Sequence, residues 1–218
     1  MNIKWNNEVE KLTSFSVTGD VPEVIEEFII PSVVDGKQIL VISTMRASFQ
    51  SLWVKGVKQI KRLIVEDGIK RVANWAFAYI RVKIDEFYWP STCNTIPKGC
   101  FYCSTLKNIS GIEDVTEIGP ESFGLTEIEI FNWPPKISAN CFSLGNCYHL
   151  KKIVFDGCEM KDIDLNIFSS LFATIEEIDL SKIHIVNLTK SISDDSMYFK
   201  ILDRLKDKLR LPYYVNRS

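Results

Sequence analysis

The stretch Val115–Phe142, VTEIGPESFGLTEIEIFNWPPKISANCF, carries the pattern Ile-x-x-x-x-Phe twice, at Ile118/Phe123 and at Ile137/Phe142. Extended outward, the same spacing recurs at Val72/Phe77, Ile96/Phe101 and Ile163/Phe168, with a stretched copy at Ile42/Phe49. Successive copies lie about 19 to 30 residues apart, a period that marks an array of stacked units rather than an ordinary globular domain.

Between the Phe positions runs a sharper motif, an apolar-x-x-apolar-x-apolar hexamer. It begins at Ile25 (IEEFII), Ile60 (IKRLIV), Ile84 (IDEFYW), Leu106 (LKNISG), Leu125 (LTEIEI), Leu150 (LKKIVF) and Ile175 (IEEIDL). Alternation at its end, with β-branched and aromatic residues at the apolar sites, predicts a strand with one face buried. Seven residues separate the end of the hexamer from the next Ile or Val at Val65/Val72, Trp89/Ile96 and Ile130/Ile137. Ser110-Gly111 is expected as a local insertion that lengthens one turn.

The hexamer resembles the strand of a leucine-rich repeat. Segments such as LIVEDGIKRVANWAF, LKNISGIEDVTEIGPESF and LTEIEIFNWPPKISANCF resemble units of the BspA-like leucine-rich repeat family, over roughly Ile25 to Leu180. The resemblance implies a repeat solenoid: a right-handed coil with a parallel β-sheet on one face and short turns or helical segments on the other. It also implies adhesion and surface recognition.

Each unit alone exposes an apolar strand face, which stacking closes into a continuous core. The Phe series Phe49, Phe77, Phe101, Phe123, Phe142 and Phe168 is expected to form a buried spine on the side away from the sheet. A small residue precedes most of them (Ser48, Ala76, Cys100, Ser122, Cys141; Ile167 is the exception), as tight packing between coils requires. Cys100 sits in this column, so the Cys100-x-x-Cys103 pair reads as buried structural thiols. A zinc site needs a second ligand pair at defined spacing, and Cys93, Cys141, Cys147 and Cys158 do not supply one.

Stack ends need atypical caps. Residues 1–24 are read as an N-terminal cap, 25–187 as an array of six to seven coils, and 188–218 as a C-terminal capping helix and tail. In that helix Ser193 or Asp194 suits the N-cap, and Tyr198, Ile201, Leu202, Leu205 and Leu209 share one face. Lys206, Lys208 and Arg210 fill the last turn before Pro212.

A net charge of −2 with acids and bases both plentiful makes no case for nucleic acid or an anionic membrane as the main partner. The first residues, MNIKWNNEVEKLTSF, lack the features of a secretory signal, and no apolar run reaches the length of a membrane helix. The expectation is a cytoplasmic protein, with the virion or cell surface as alternatives. No catalytic or phosphate-binding motif is present, His149 and His184 stand alone, and Asp162-x-Asp164 lacks the further oxygen ligands of a calcium loop. We therefore expect no enzyme activity and no cofactor or metal.

Positions two, three and five of each hexamer point to solvent. Positions two and three alternate in sign along most of the stack, from Glu26-Glu27 to Lys61-Arg62 to Asp85-Glu86, so that neighbours pair and set register. Position five opens with Ile29, Ile64 and Tyr88, an apolar strip on a charged face, and continues through Ser110, Glu129, Val154 and Asp179. Such a strip is where a protein partner gains most; the alternative is that the N-terminal segment covers this end. Ile29, Ile64, Tyr88, Lys61, Arg62 and Val154 are the candidate contact residues for a protein partner. The rival to a binding module is a structural part of a larger assembly, a virion or an intracellular scaffold.

Overall fold

The computed structural model describes residues 1–137, 144–155 and 176–179 in full, and the backbone of 162–164, 186–189, 209–210 and 215–216. The chain opens with an antiparallel hairpin, β1 (Asn2–Glu8) and β2 (Lys11–Thr18). There follow β3 (Val24–Ile30), a small hairpin of β4 (Val33–Val34) and β5 (Lys37–Gln38), β6 (Val41–Ile42), and the helix α1 (Arg46–Val54). Next come β7 (Gln59–Val65), β8 (Arg71–Val72), β9 (Lys83–Tyr88), β10 (Thr95–Ile96), β11 (Ile109–Ser110) and β12 (Glu117–Ile118). The remaining strands are β13 (Ile130–Asn132), β14 (Lys152–Val154), β15 (Asp162–Asp164), β16 (Glu177–Asp179), β17 (Val186–Thr189), β18 (Leu209–Arg210) and β19 (Val215–Asn216).

The hexamers form parallel sheets. One runs β3-β7-β9-β11, the other β13-β14-β16-β18. In the first, Ile25, Ile60 and Ile84 align, as do Phe28, Leu63, Phe87 and Ile109. The inward residues of β3, β7 and β9 are all 4% exposed or less, and the burial pattern of β3 and β7 follows the apolar-x-x-apolar-x-apolar order. Gly111 ends the Leu106 hexamer at φ +78, where an added Cβ would lie 2.5 Å from the Trp89 carbonyl oxygen. The backbones approach too closely there for any side chain.

The residues just before the Phe series also pair. Ile42 aligns with Val72 and Ile96 with Ile118, in short parallel ladders, and Leu12 of the hairpin aligns with Ile42 as though it were a preceding unit. Two-residue segments are too short to show alternation, so the sequence marks these positions by the recurring Ile or Val alone and not as strands. The two extra residues between Ile42 and Phe49 are absorbed by α1.

The spine lies where it was expected as far as Phe123. Phe49, Phe77, Phe101 and Phe123 have no exposed surface. Their rings follow one another at 6.3, 5.7 and 5.4 Å, the last two pairs stacked. They also meet the aromatic residues of the strands, Phe77 against Phe87 at 4.9 Å and Phe123 against Phe131 at 5.0 Å. Ser48, Ala76, Cys100 and Ser122 are buried beside them. Phe142, Phe168, Cys141 and Ile167 lie outside the described residues.

The hexamer placed at Leu125 is out of register by three. Thr126, expected on the surface, is 1% exposed and donates from Oγ1 to the Phe123 carbonyl at 2.8 Å. Ile130, expected inside, is 51% exposed. The buried residues are Ile128, Phe131 and Trp133, and β13 pairs with β14 through Phe131 and Ile153. The true hexamer is I128-E-I-F-N-W, a close copy of I84-D-E-F-Y-W, and it sets Ile84, Leu106, Ile128 and Leu150 at even intervals of 22 residues. Both tryptophans donate from Nε1 to the carbonyl four residues on, Trp89 to Cys93 at 2.7 Å and Trp133 to Ile137 at 3.1 Å. Ile137 thus occupies the place of Cys93, not that of Ile96.

At the C-terminal end, Leu209 and Arg210 were expected to finish a helix. They form β18 instead, parallel to β16, with Ile178 facing Leu209 and Asp179 facing Arg210. The i, i+3, i+4 pattern misleads at these two residues, because the backbone there gains ladder partners that a helix end lacks. The rest of the expected helix lies outside the described residues.

Candidate functional site: the exposed sheet face

Positions two, three and five of β3, β7 and β9 lie away from the core: alternation turns position five outward, while two and three follow one another outside the core. Neighbours at positions two and three carry opposite charge, and they pair: Lys61 with Glu26 at 2.9 Å and Arg62 with Glu27 at 3.0 Å. Asp85 meets Lys83 at 3.1 Å and accepts from the Gln59 amide, while Ser110 Oγ donates to Glu86 at 2.8 Å. Each exposed pair is worth about 0.2–1 kcal/mol, enough to favour one register over a slip.

The position-five row is continuous. Ile29 faces Ile64, Ile64 faces Tyr88, and Tyr88 faces Ser110. Ile29 is 41% exposed and Ile64 and Tyr88 are half-buried, so apolar surface lies open beside the ion-paired rows. The Tyr88 hydroxyl titrates above its ordinary value, chiefly through hydrogen bonding to Glu86 and then through desolvation. The N-terminal hairpin leaves the row open. It packs on the inner side of β3, where Trp5 and Phe15 meet Phe28 at 5.9 and 5.1 Å.

Of the six candidate contact residues, Ile29, Ile64, Tyr88, Lys61 and Arg62 are brought together on one sheet. Val154 belongs to the other sheet, in a row with Asn132 and Asp179. The slipped register also hid one exposed apolar residue, Ile130, which shares that second face with Val154. Glu129, assigned to position five, is at position two, where it pairs with Lys151 at 2.9 Å. That contact holds the Glu129 carboxyl below its ordinary range and lifts Lys151 above its own.

Cys100 and Cys103 are free thiols in different surroundings. Cys100 is fully buried, and burial pushes its thiol well up, whereas Cys103, expected to be buried with it, is exposed because it lies outside the small-residue column. Among the described residues no group of three or more His, Cys, Asp or Glu side chains could hold a metal ion, and no helix is long and apolar enough to cross a membrane.

The repeating strand, short-strand and Phe turn, with its inward hexamers, has a counterpart among known families. The BspA type leucine rich repeat region matches in six copies, over residues 42–144 and 124–203. The chain belongs to this family. No curated protein and no solved structure matches. BspA-type repeats suggest a protein-interaction or adhesion-type module, are generally non-enzymatic, and are often surface-associated.

Proposed function

We propose that this BspA-type repeat is a non-enzymatic protein-interaction module: a right-handed leucine-rich-repeat solenoid, capped by residues 1–24 and 188–218, that grips a protein partner with its sheet face. The observation that supports this reading best is the in-register row Ile29–Ile64–Tyr88 with Ile29 open to solvent. A half-buried tyrosine in line with two aliphatic residues has the composition that interaction hot spots favour. The neighbouring charges are matched among themselves. A partner covering the row therefore need not supply countercharges to Lys61 and Arg62, and specificity falls on the shape and apolar surface of the row.

The test is affinity capture with the wild-type chain and with the Ile64→Glu, Tyr88→Glu double variant, after circular dichroism shows that the variant folds. Partners held by the wild type and lost by the variant support the reading. An identical set of partners for both proteins refutes it.

A further inference from the structure

Away from the sheet face, Thr44, the start of α1 and the turn that follows β8 border an open cleft of about 710 Å³, a size in the range of small-molecule sites. Its walls include Thr44, Arg46, Gln50, Trp75, Tyr79 and Arg81, and no acidic residue. On the sheet face Lys61 and Arg62 are matched by carboxylates. Among the described residues Arg46 and Arg81 meet none. The first turn of α1, which borders the cleft, carries no acidic residue and no side-chain cap, so no protein anion competes there. In a chain of net charge −2 this is a local surplus of positive charge.

The cleft is also aromatic and partly preorganised. The Arg46 guanidinium lies 4.5 Å over the Tyr79 ring. This cation–π contact restrains the side chain, and no described carboxylate takes its N–H groups. Trp75 is pinned from behind: Gly99 has φ +61, and a Cβ there would sit 2.2 Å from the indole Cε3. Tyr102 braces Trp75 and Tyr79 edge-on at 5.5 and 5.7 Å. Unlike Trp89 and Trp133, Trp75 donates its Nε1–H to no described group.

We propose that this cleft is a second binding site, for an anionic group carried on an aromatic ring, an aryl phosphate or aryl carboxylate. Arg46 and Arg81 hold the anion by charge-assisted hydrogen bonds, and Trp75 and Tyr79 receive the ring. The site is independent of the sheet face and does not rest on the function proposed for it.

The test uses the full chain at low ionic strength, with phenyl phosphate, benzoate and inorganic phosphate as probes, followed by equilibrium dialysis and tryptophan fluorescence. We expect saturable binding of phenyl phosphate or benzoate at least tenfold tighter than inorganic phosphate, weakening as salt is added. The tighter of the two aryl probes identifies the anion. Arg46→Gln with Arg81→Gln removes exposed side chains only and is expected to weaken binding at least tenfold with an unchanged thermal midpoint. If that midpoint falls, Thr44→Glu sets a carboxylate at the cleft wall without removing a contact and is expected to cause the same loss. Failure of both aryl probes to saturate overturns the proposal. So does equal affinity for inorganic phosphate, or wild-type affinity in a folded variant.

Discussion

The backbone N–H of Phe15 donates to the buried Ser48 Oγ at 2.9 Å, across 33 residues of sequence. Phe15 belongs to the N-terminal hairpin and Ser48 to the first full unit. The small-residue column therefore does more than make room for packing: at its first member it ties the hairpin down. Ser48→Ala leaves a buried donor without a partner, and we expect a loss of about 1–3 kcal/mol in denaturant unfolding. Hydrogen exchange should quicken at the Phe15 amide first; unchanged exchange throughout β2 would contradict this role.

The three-residue register correction separates two isoleucines of one segment. Ile128 is 1% exposed and Ile130 51%. Ile128→Ala is expected to cost about 2–5 kcal/mol, and Ile130→Ala to stay within about 0.5 kcal/mol. Thermal or chemical unfolding of the two variants side by side decides it. A comparable loss at Ile130 would reinstate the hexamer at Leu125, which buries both residues.

Among the described rings of the spine Phe101 is the most connected, with Phe77 at 5.7 Å, Phe87 at 4.9 Å, Trp89 at 6.0 Å and Phe123 at 5.4 Å. Phe101→Ala should cost about 3–5 kcal/mol, because the rings above and below cannot close the gap without giving up their own stacking. Phe101→Leu, which keeps most of the volume, should lose clearly less. Equal losses would mean that ring stacking, not volume, sets the cost.

Burial sorts the cysteines by reactivity. In the native protein at pH 8 a small thiol reagent should modify Cys103 and spare Cys93, Cys100 and Cys147, as read by peptide mapping. The Cys147 thiol is pushed up from 9.0 to about 11, chiefly by burial. The folded state thus holds this proton more tightly than the unfolded one. The resulting stabilisation is complete below about pH 9 and is lost as the pH rises through about 11, to the extent of about 3 kcal/mol. The alkaline fall in unfolding free energy should be shallower in Cys147→Ala than in the wild type.

Most of the strand order could be read from the chain. The hexamers at Ile25, Ile60, Ile84 and Leu150 bury the residues that their pattern marks, and the Glu26/Lys61 and Glu27/Arg62 pairs form as the sign alternation required. The Leu125 segment failed for a specific reason. LTEIEI and IEIFNW both satisfy the same apolar pattern and share Ile128, so local alternation cannot choose between them. The shared Phe-x-Trp ending of the Ile84 and Ile128 hexamers was the available signal. It outweighs alternation because an indole needs a matched pocket and a hydrogen-bond acceptor, which a generic aliphatic residue does not.

What the sequence determined by itself is the periodic part of the molecule: a BspA-type repeat, its inward columns and its charge-paired outer rows. Those follow from constraints that recur at every unit, and recurrence is what makes them legible. Only the tertiary structure decided the rest. Arg46 comes to lie over Tyr79, and the start of α1 and the turn after β8 border one cleft. The hairpin reaches Ser48, and Ile29 stays open. These contacts join residues that no motif links, and each depends on how far the backbone of one unit is carried over the next before its side chains can meet.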